Sequence, residues 1–331
     1  MTVLSEPSRA KRKKILKKIA ETIRRERRFL IASHENPEGD AIGSILALGL
    51  GLQQMGKKVT IFNPDPVPEV LTFLPGAGKI VRQAPKNGRF DAAFALDCGD
   101  QKRLGESFPK PEKIGRLINV DHHASNTRFG DVNLINPWAS STAEMVFDLL
   151  REIPVKISRP IGENIYTGIL TDTGSFHYSN TTDKTFAVAR DCVLAGVEPW
   201  KIAEKVYETQ PPTRLRLLPL VLETLKIEEE GRVSSVVVTR RMLARAGATP
   251  ALTEDFINYP RSVKGTEVAL LFREIQPKKY RVSCRSRGKI DVSRISRMFQ
   301  GGGHPNAAGC TVEGTLGEVK TKVLAQVRAA F

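Results

Sequence analysis

Apolar and polar positions alternate with changing period along this chain. In residues 9–28, Ile15, Ile19 and Ile23 recur at helical spacing among Lys and Arg, which predicts one amphipathic helix. Phe29-Leu-Ile-Ala-Ser33 is a short continuous apolar run and reads as a buried strand; after a polar loop, Ala41 to Met55 reads as a helix. Strand, loop and helix open an α/β unit. Further strand signals at Val59 to Phe62, Ala92 to Leu96 and Leu117 to Val120, separated by helix-length or loop-length segments, predict a mostly parallel sheet with flanking helices.

From Ser140 to about Thr209 the pattern is chiefly helical, until Gln210-Pro-Pro212 interrupts it. Beyond that break, Val233 to Thr239 and Glu267 to Arg273 read as strands, and Tyr280 to Cys284 pairs with the latter. Helices fit near Arg240 to Ala246, Val292 to Phe299 and Leu316 to Ala330. The expected architecture is α/β throughout: a larger domain over 1–200, a linker over 201–215 and a smaller α/β domain over 216–331, with the active-site cleft between the two.

Composition narrows the class. The 331 residues, 40% of them apolar, suffice for two cores. The longest apolar run, Ile42 to Leu52, falls short of a bilayer span, and Met1 to Glu21 has no apolar stretch followed by a small-residue cleavage site. A cytoplasmic protein without membrane contact is expected. Four cysteines, Cys98, Cys192, Cys284 and Cys310, have no CxxC spacing, so neither disulfides nor a thiolate zinc site is expected. A formal charge of +15 favours polyanionic partners such as RNA or nucleotides. Much of that excess lies in Arg9 to Arg28, where the simpler reading is the solvated face of a packed helix.

Candidate chemistry sits where strands end. The chain has five histidines. Ser33-His34-Glu35-Asn36-Pro37-Glu38-Gly39-Asp40 follows the first strand, Asp97-Cys98-Gly99-Asp100 a later one, and Asp121-His122-His123 another; Thr171-Asp172-Thr173-Gly174 ends a helical stretch. In open parallel sheets, loops at the carboxyl ends of strands share one crevice, so these clusters can meet although they are far apart in sequence. Any one such Asp is more simply a helix cap or turn residue. Four loops in order point instead to a divalent-metal site, because imidazole and carboxylate together suit a transition ion such as Mn²⁺, and clustered carboxylates repel one another without a cation. Two ions about 3.5–4 Å apart would suit in-line attack on phosphorus.

These loops follow the four motifs of the DHH phosphoesterase superfamily, and Gly301-Gly-Gly-His-Pro-Asn-Ala-Ala-Gly309 resembles the signature of its accompanying DHHA1 domain. The whole is similar to the bacterial oligoribonuclease and 3′-phosphoadenosine-5′-phosphate (pAp) phosphatase group of that superfamily. The resemblance implies that His34, Glu38 and Asp97 hold one ion and Asp40, Asp97, His122 and Asp172 the other, with Asp97 bridging and His123 facing the substrate. The family usually has Asp where this chain has Glu38, which puts metal affinity at that position in question.

In the second domain the glycine run lets a ligand approach the backbone closely and offers N–H groups to an anion. With Arg285 and His304 beside Gly301, Gly302 and Gly303, a pocket for the substrate's base or remote phosphate is expected; Arg285 can grip phosphate in two places. If that grip and the metals face each other across a fixed gap, RNAs of roughly two to five nucleotides gain positioning that longer ones do not. The expected activity is hydrolysis of short oligoribonucleotides to nucleoside monophosphates, and of pAp to AMP. The alternatives are a linear dinucleotide hydrolase of cyclic-dinucleotide turnover, using the same site, and a catalytically weak RNA-binding relative.

Overall fold

The central strands of the larger unit are apolar on both faces because both faces are covered. This computed structural model describes residues 9–85, 88–253, 255–288 and 290–331, with the side chains of Arg9 and His304 outside the described part. It divides into two units, Met1–Thr209 and Gln210–Phe331.

In the first unit the chain runs α1 (Arg9–Arg25), β1 (Arg28–Ala32), α2 (Gly39–Gln54), β2 (Lys58–Phe62), β3 (Ile80–Val81), β4 (Ala92–Leu96), β5 (Leu117–Asp121) and β6 (Val132–Ile135). Four helices follow: α3 (Thr142–Arg151), α4 (Arg159–Asp172), α5 (Asp183–Leu194) and α6 (Pro199–Tyr207). The strands form one sheet in the order β3-β2-β1-β4-β5-β6, and every pairing is parallel. Side chains of β1 and β4 alternate between two cores. Phe29, Ile31, Phe94 and Leu96 face a core to which all six helices contribute, whereas Leu30, Ala32, Ala93 and Ala95 face a smaller one closed by irregular segments that include Leu104 and Phe108.

Glycines let α2, α3 and α4 crowd together near the strand ends. A Cβ at Gly43 would stand 2.4 Å from Asn164 O, and one at Gly168 would stand 2.6 Å from Ala143 Cβ and 2.9 Å from Asp40 Oδ1. Any larger residue at 168 would push α4 away from the Asp40 carboxylate.

The second unit runs α7 (Pro212–Leu222), β7 (Lys226–Glu228), β8 (Val233–Val238), α8 (Arg240–Ala246), α9 (Asn258–Ser262), β9 (Val268–Gln276) and β10 (Lys279–Ser286). It ends with α10 (Val292–Arg297), β11 (Gly302–His304), β12 (Ala307–Glu313) and α11 (Leu316–Arg328). Its sheet is mixed, in the order β11-β12-β10-β9-β8-β7, with β8 and β9 parallel and the other pairs antiparallel. The stretch 201–215, expected as a linker, is mostly helical: 201–207 belongs to α6 and 212–215 to α7. Pro212 opens α7 instead of breaking structure, because the first N–H groups of a helix have no intrahelical acceptor to lose.

Candidate metal centre

The carboxyl ends of β1, β4 and β5 are neighbours, so the residues leaving them meet. Ser33 Oγ donates to Leu96 O at 2.8 Å and ties the first loop to the end of β4. Directly after β4, Asp97 adopts a left-handed backbone with φ 54, its N–H donating to Val120 O at 3.0 Å. Asp tolerates this conformation better than most residues, through its short polar side chain. The residue type that chemistry needs here is also one the turn accepts.

Asp97 faces two ways. Its Oδ2 lies 3.6 Å from His34 Nε2, while its Oδ1 lies 3.7 Å from His122 Nε2 and 3.6 Å from His123 Nδ1. His34 Nε2 is also 3.1 Å from Glu38 Oε1, and His122 Nε2 is 3.9 Å from Asp40 Oδ2 and 3.6 Å from Asp172 Oδ2. The donor atoms thus group as His34–Glu38–Asp97, Asp40–His122–Asp172 and Asp97–His122–His123, each within 4.8 Å. Most of these gaps are too long for hydrogen bonds. They approach the separation of about 3.0–3.4 Å that neighbouring ligands keep around one ion with bonds of about 2.1 Å. Nitrogen and carboxylate donors in this arrangement fit a divalent cation.

Burial and mutual charge pull these groups in opposite directions. Burial pushes the Asp40 carboxyl well above its usual range, with the charges of Asp97 and Asp172 adding to the effect. Burial acts on Asp97 in the same direction, but the close imidazoles of His34, His123 and His122 hold it well below the usual range. Burial raises Asp172 to about 6 against the opposing charge of His122. For the histidines burial disfavours the cation, yet Glu38 and Asp97 push His34 up to about 10, and Asp172, Asp97 and Asp40 push His122 to about 9. A divalent cation would be held by these imidazoles and carboxylates in their deprotonated forms.

Several supporting residues escaped the sequence reading. Asp40 accepts the N–H groups of Thr142 (2.6 Å) and Ala143 (2.8 Å), so the positive end of α3 steadies its charge. Thr142 Oγ1 donates to Asp97 Oδ1 at 3.0 Å. Glu144 accepts Ser140 Oγ at 2.7 Å, and Asn180 Nδ2 donates to Ser140 O at 2.8 Å, closing the loop before α3. The only signal in the sequence is Ser140-Ser-Thr142 ahead of an apolar run, a helix-start pattern. Asp121, fully buried, joins His123 Nδ1 at 2.6 Å and accepts Asn126 Nδ2 at 2.6 Å, which orients the His123 ring. His34 Nδ1 lies 2.7 Å from Glu35 O and 2.9 Å from Arg103 Nη2. Burial pushes the Cys98 thiol up to about 12, far from the thiolate.

The remaining expected residues lie in the second unit. Arg285 on β10 and the backbone of His304 on β11 each pair with Ala307 of β12, so they share one row of the sheet. Arg285 Nη1 donates to Cys284 O at 3.2 Å. The glycine run is largely a strand in place of an open cradle. Gly301 N–H donates to Ser296 O at 2.9 Å, a Cβ at Gly301 would stand 2.2 Å from Gly309 O, and one at Gly303 would stand 2.4 Å from Ala307 O. Gly302 alone of the three has open space around its added Cβ. The His304 side chain lies outside the described residues.

Comparison with known proteins agrees with this geometry. Residues 28–169 match the DHH family, N-terminal domain, and residues 234–331 match the DHHA1 domain. The chain belongs to the DHH phosphoesterase family, whose members hydrolyse phosphoester bonds. The bifunctional oligoribonuclease and PAP phosphatase NrnA of Thermus thermophilus is 35% identical over 299 residues, covering 90% of this chain and 88% of that protein. The Bacillus subtilis protein of the same name is 26% identical, covering 86% of this chain and 89% of its own. The crystal structure of an exopolyphosphatase-related protein from Bacteroides fragilis superposes with a TM-score of 0.90 at 28% identity, covering 99% of this chain and 98% of that one. Among the described residues no helix is long and apolar enough to cross a membrane.

Proposed function

We propose that this protein is a metal-dependent hydrolase that cuts very short oligoribonucleotides to nucleoside monophosphates in the cytoplasm and removes the 3′-phosphate of pAp. The observation that carries the reading is Asp97, which turns one carboxylate oxygen towards His34 and the other towards His122. That placement supports two divalent ions, most suitably Mn²⁺, sharing Asp97: His34 and Glu38 would complete one ligand set, and Asp40, His122 and Asp172 the other. When bound, such a pair of ions lowers the pKa of water and neutralises phosphoryl oxygens. His123, oriented by Asp121, offers a hydrogen bond or proton to the leaving oxygen. Arg285, the exposed backbone at Gly302 and His304 bind the substrate's base or remote phosphate.

The reading is tested by assaying pApA, pAp and pyrophosphate side by side with Mn²⁺ and again after chelation. AMP from the first two, little turnover of pyrophosphate, and complete loss on chelation are expected. Preferred hydrolysis of pyrophosphate, or activity that survives exhaustive chelation, would overturn it.

A further inference from the structure

We propose that the exposed face of α1 is a docking strip for the phosphate backbone of single-stranded RNA, holding strand that extends beyond the metal centre. Helix α1 carries nine basic residues and one acidic residue, Glu21, so it supplies more than half of the chain's net +15. Its apolar side is consumed by the core, where Ile19, Ala20 and Ile23 are buried. Lys13, Lys14, Lys17 and Lys18 lie exposed on the other side, and none has a carboxylate partner among the described residues.

This arrangement is unfavourable for an isolated helix. Lys13 and Lys17, and likewise Lys14 and Lys18, are like charges four residues apart, which destabilises a helix. No acidic residue occupies the first turn to offset the dipole. A face kept only for solubility would gain stability by interleaving Glu, so the absence of such pairs points to a ligand that brings the negative charge. Phosphates in a row do so, and lysines meet them as point charges without regard to base.

The strip also has a direction. Arg24 donates to Glu152 O at the far end of α3, the helix whose beginning holds Asp40 and Asp97. The C-terminal end of α1 meets the beginnings of the strands: Arg116, directly before β5, donates to Thr22 Oγ1 at 3.2 Å, and Lys57, directly before β2, donates to Arg24 O at 2.9 Å. The lysine-rich first half of α1 therefore lies towards the end of the sheet that carries the metal centre. Four residues of helix rise about 6 Å, so the lysines form two short rows along that path.

The inference rests on the hydrolase reading only for what the strand is doing there, and the deciding measurement is binding, with hydrolysis as a control. Full-length protein with Mn²⁺ is titrated into a labelled phosphorothioate oligouridylate of roughly a dozen nucleotides, long enough to neutralise several lysines, and binding is read by anisotropy over a range of salt. K13Q/K14Q/K17Q/K18Q should weaken binding by about tenfold or more at low salt and flatten the salt dependence by about 0.7 in logarithmic slope per lost contact. The scattered control K58Q/K110Q/K226Q/K264Q removes the same charge from other exposed sites and should change affinity by less than about twofold. Hydrolysis of pApA should be unaltered in both, and circular dichroism should show α1 intact. Equal losses in the two variants, or no loss in the first, would overturn the proposal. So would tighter binding of the parent to phosphatidylglycerol vesicles than to the oligonucleotide, which would assign the strip to a membrane surface. If pApA is not hydrolysed but the anisotropy result holds, the hydrolase reading fails and the strip stands.

Discussion

The loops of the first unit and the glycine hairpin of the second use unusual backbone for opposite purposes. At Asp97 the left-handed conformation, φ 54, falls on a side chain that faces both ligand groups. At Gly303 a positive φ of 135 falls on a residue without a side chain, and a Cβ there would collide with β12. In the first place local strain aims a functional group; in the second, missing side chains allow two strands to approach. A run of glycines is therefore weaker evidence for a ligand than a strained acidic residue. Of the three glycines from 301 to 303, Gly302 alone leaves its surroundings open.

The hardest test of this contrast is Asp97→Ala. If one carboxylate serves both ions, turnover should fall by well over the roughly 100-fold that losing a residue which merely supports a ligand costs. Metal stoichiometry measured by calorimetry should fall at both positions. Unchanged stoichiometry would remove Asp97 from the bridging role, however far activity dropped. For the hairpin, Gly303→Ala should lower stability by about 1–3 kcal/mol through strain and collision, whereas Gly302→Ala should stay within about 0.5 kcal/mol. Urea denaturation of the two variants gives the comparison directly. Equal midpoints would mean that β11 does not depend on close approach at Gly303.

Much of the fold was legible because local pattern and tertiary role coincide. Strands β1, β2, β4 and β5 are apolar runs in the sequence and central or near-central strands in the sheet. Strand β3 has two residues and β6 carries Asn133 within four, too little for a period to register. Helix α7 was hidden by Pro211-Pro212, which looks like a break yet sits where a helix start accepts proline. At the site, residues that follow strands could be found because their placement is topological, and His34, Asp97 and His122 do converge. Thr142 could not be found this way. Its bond to Asp40 spans 102 residues and depends on α3 arriving with its N–H groups aimed at the carboxylate, which no local pattern records.

Glu38 offers the smallest and most discriminating effect. It stands at the N-cap of α2, but its side chain makes no capping bond; its carboxylate instead reaches to 3.1 Å from His34 Nε2. The side chain is 55% exposed, in contrast to the 1% of Asp97. Solvent can therefore replace part of what Glu38 supplies, and only one ligand group contains it. Glu38→Asp shortens the reach by one methylene, so the affinity of one ion should weaken several-fold, by less than about tenfold, while maximal turnover at saturating Mn²⁺ is retained. Glu38→Ala should lose more affinity at that ion and leave the Asp40–His122–Asp172 group unchanged, giving a titration with one tight and one weak phase. If Glu38→Ala titrates with Mn²⁺ like the parent, the carboxylate is only a hydrogen-bond partner of His34, and the first ion must rest on His34 and Asp97 alone.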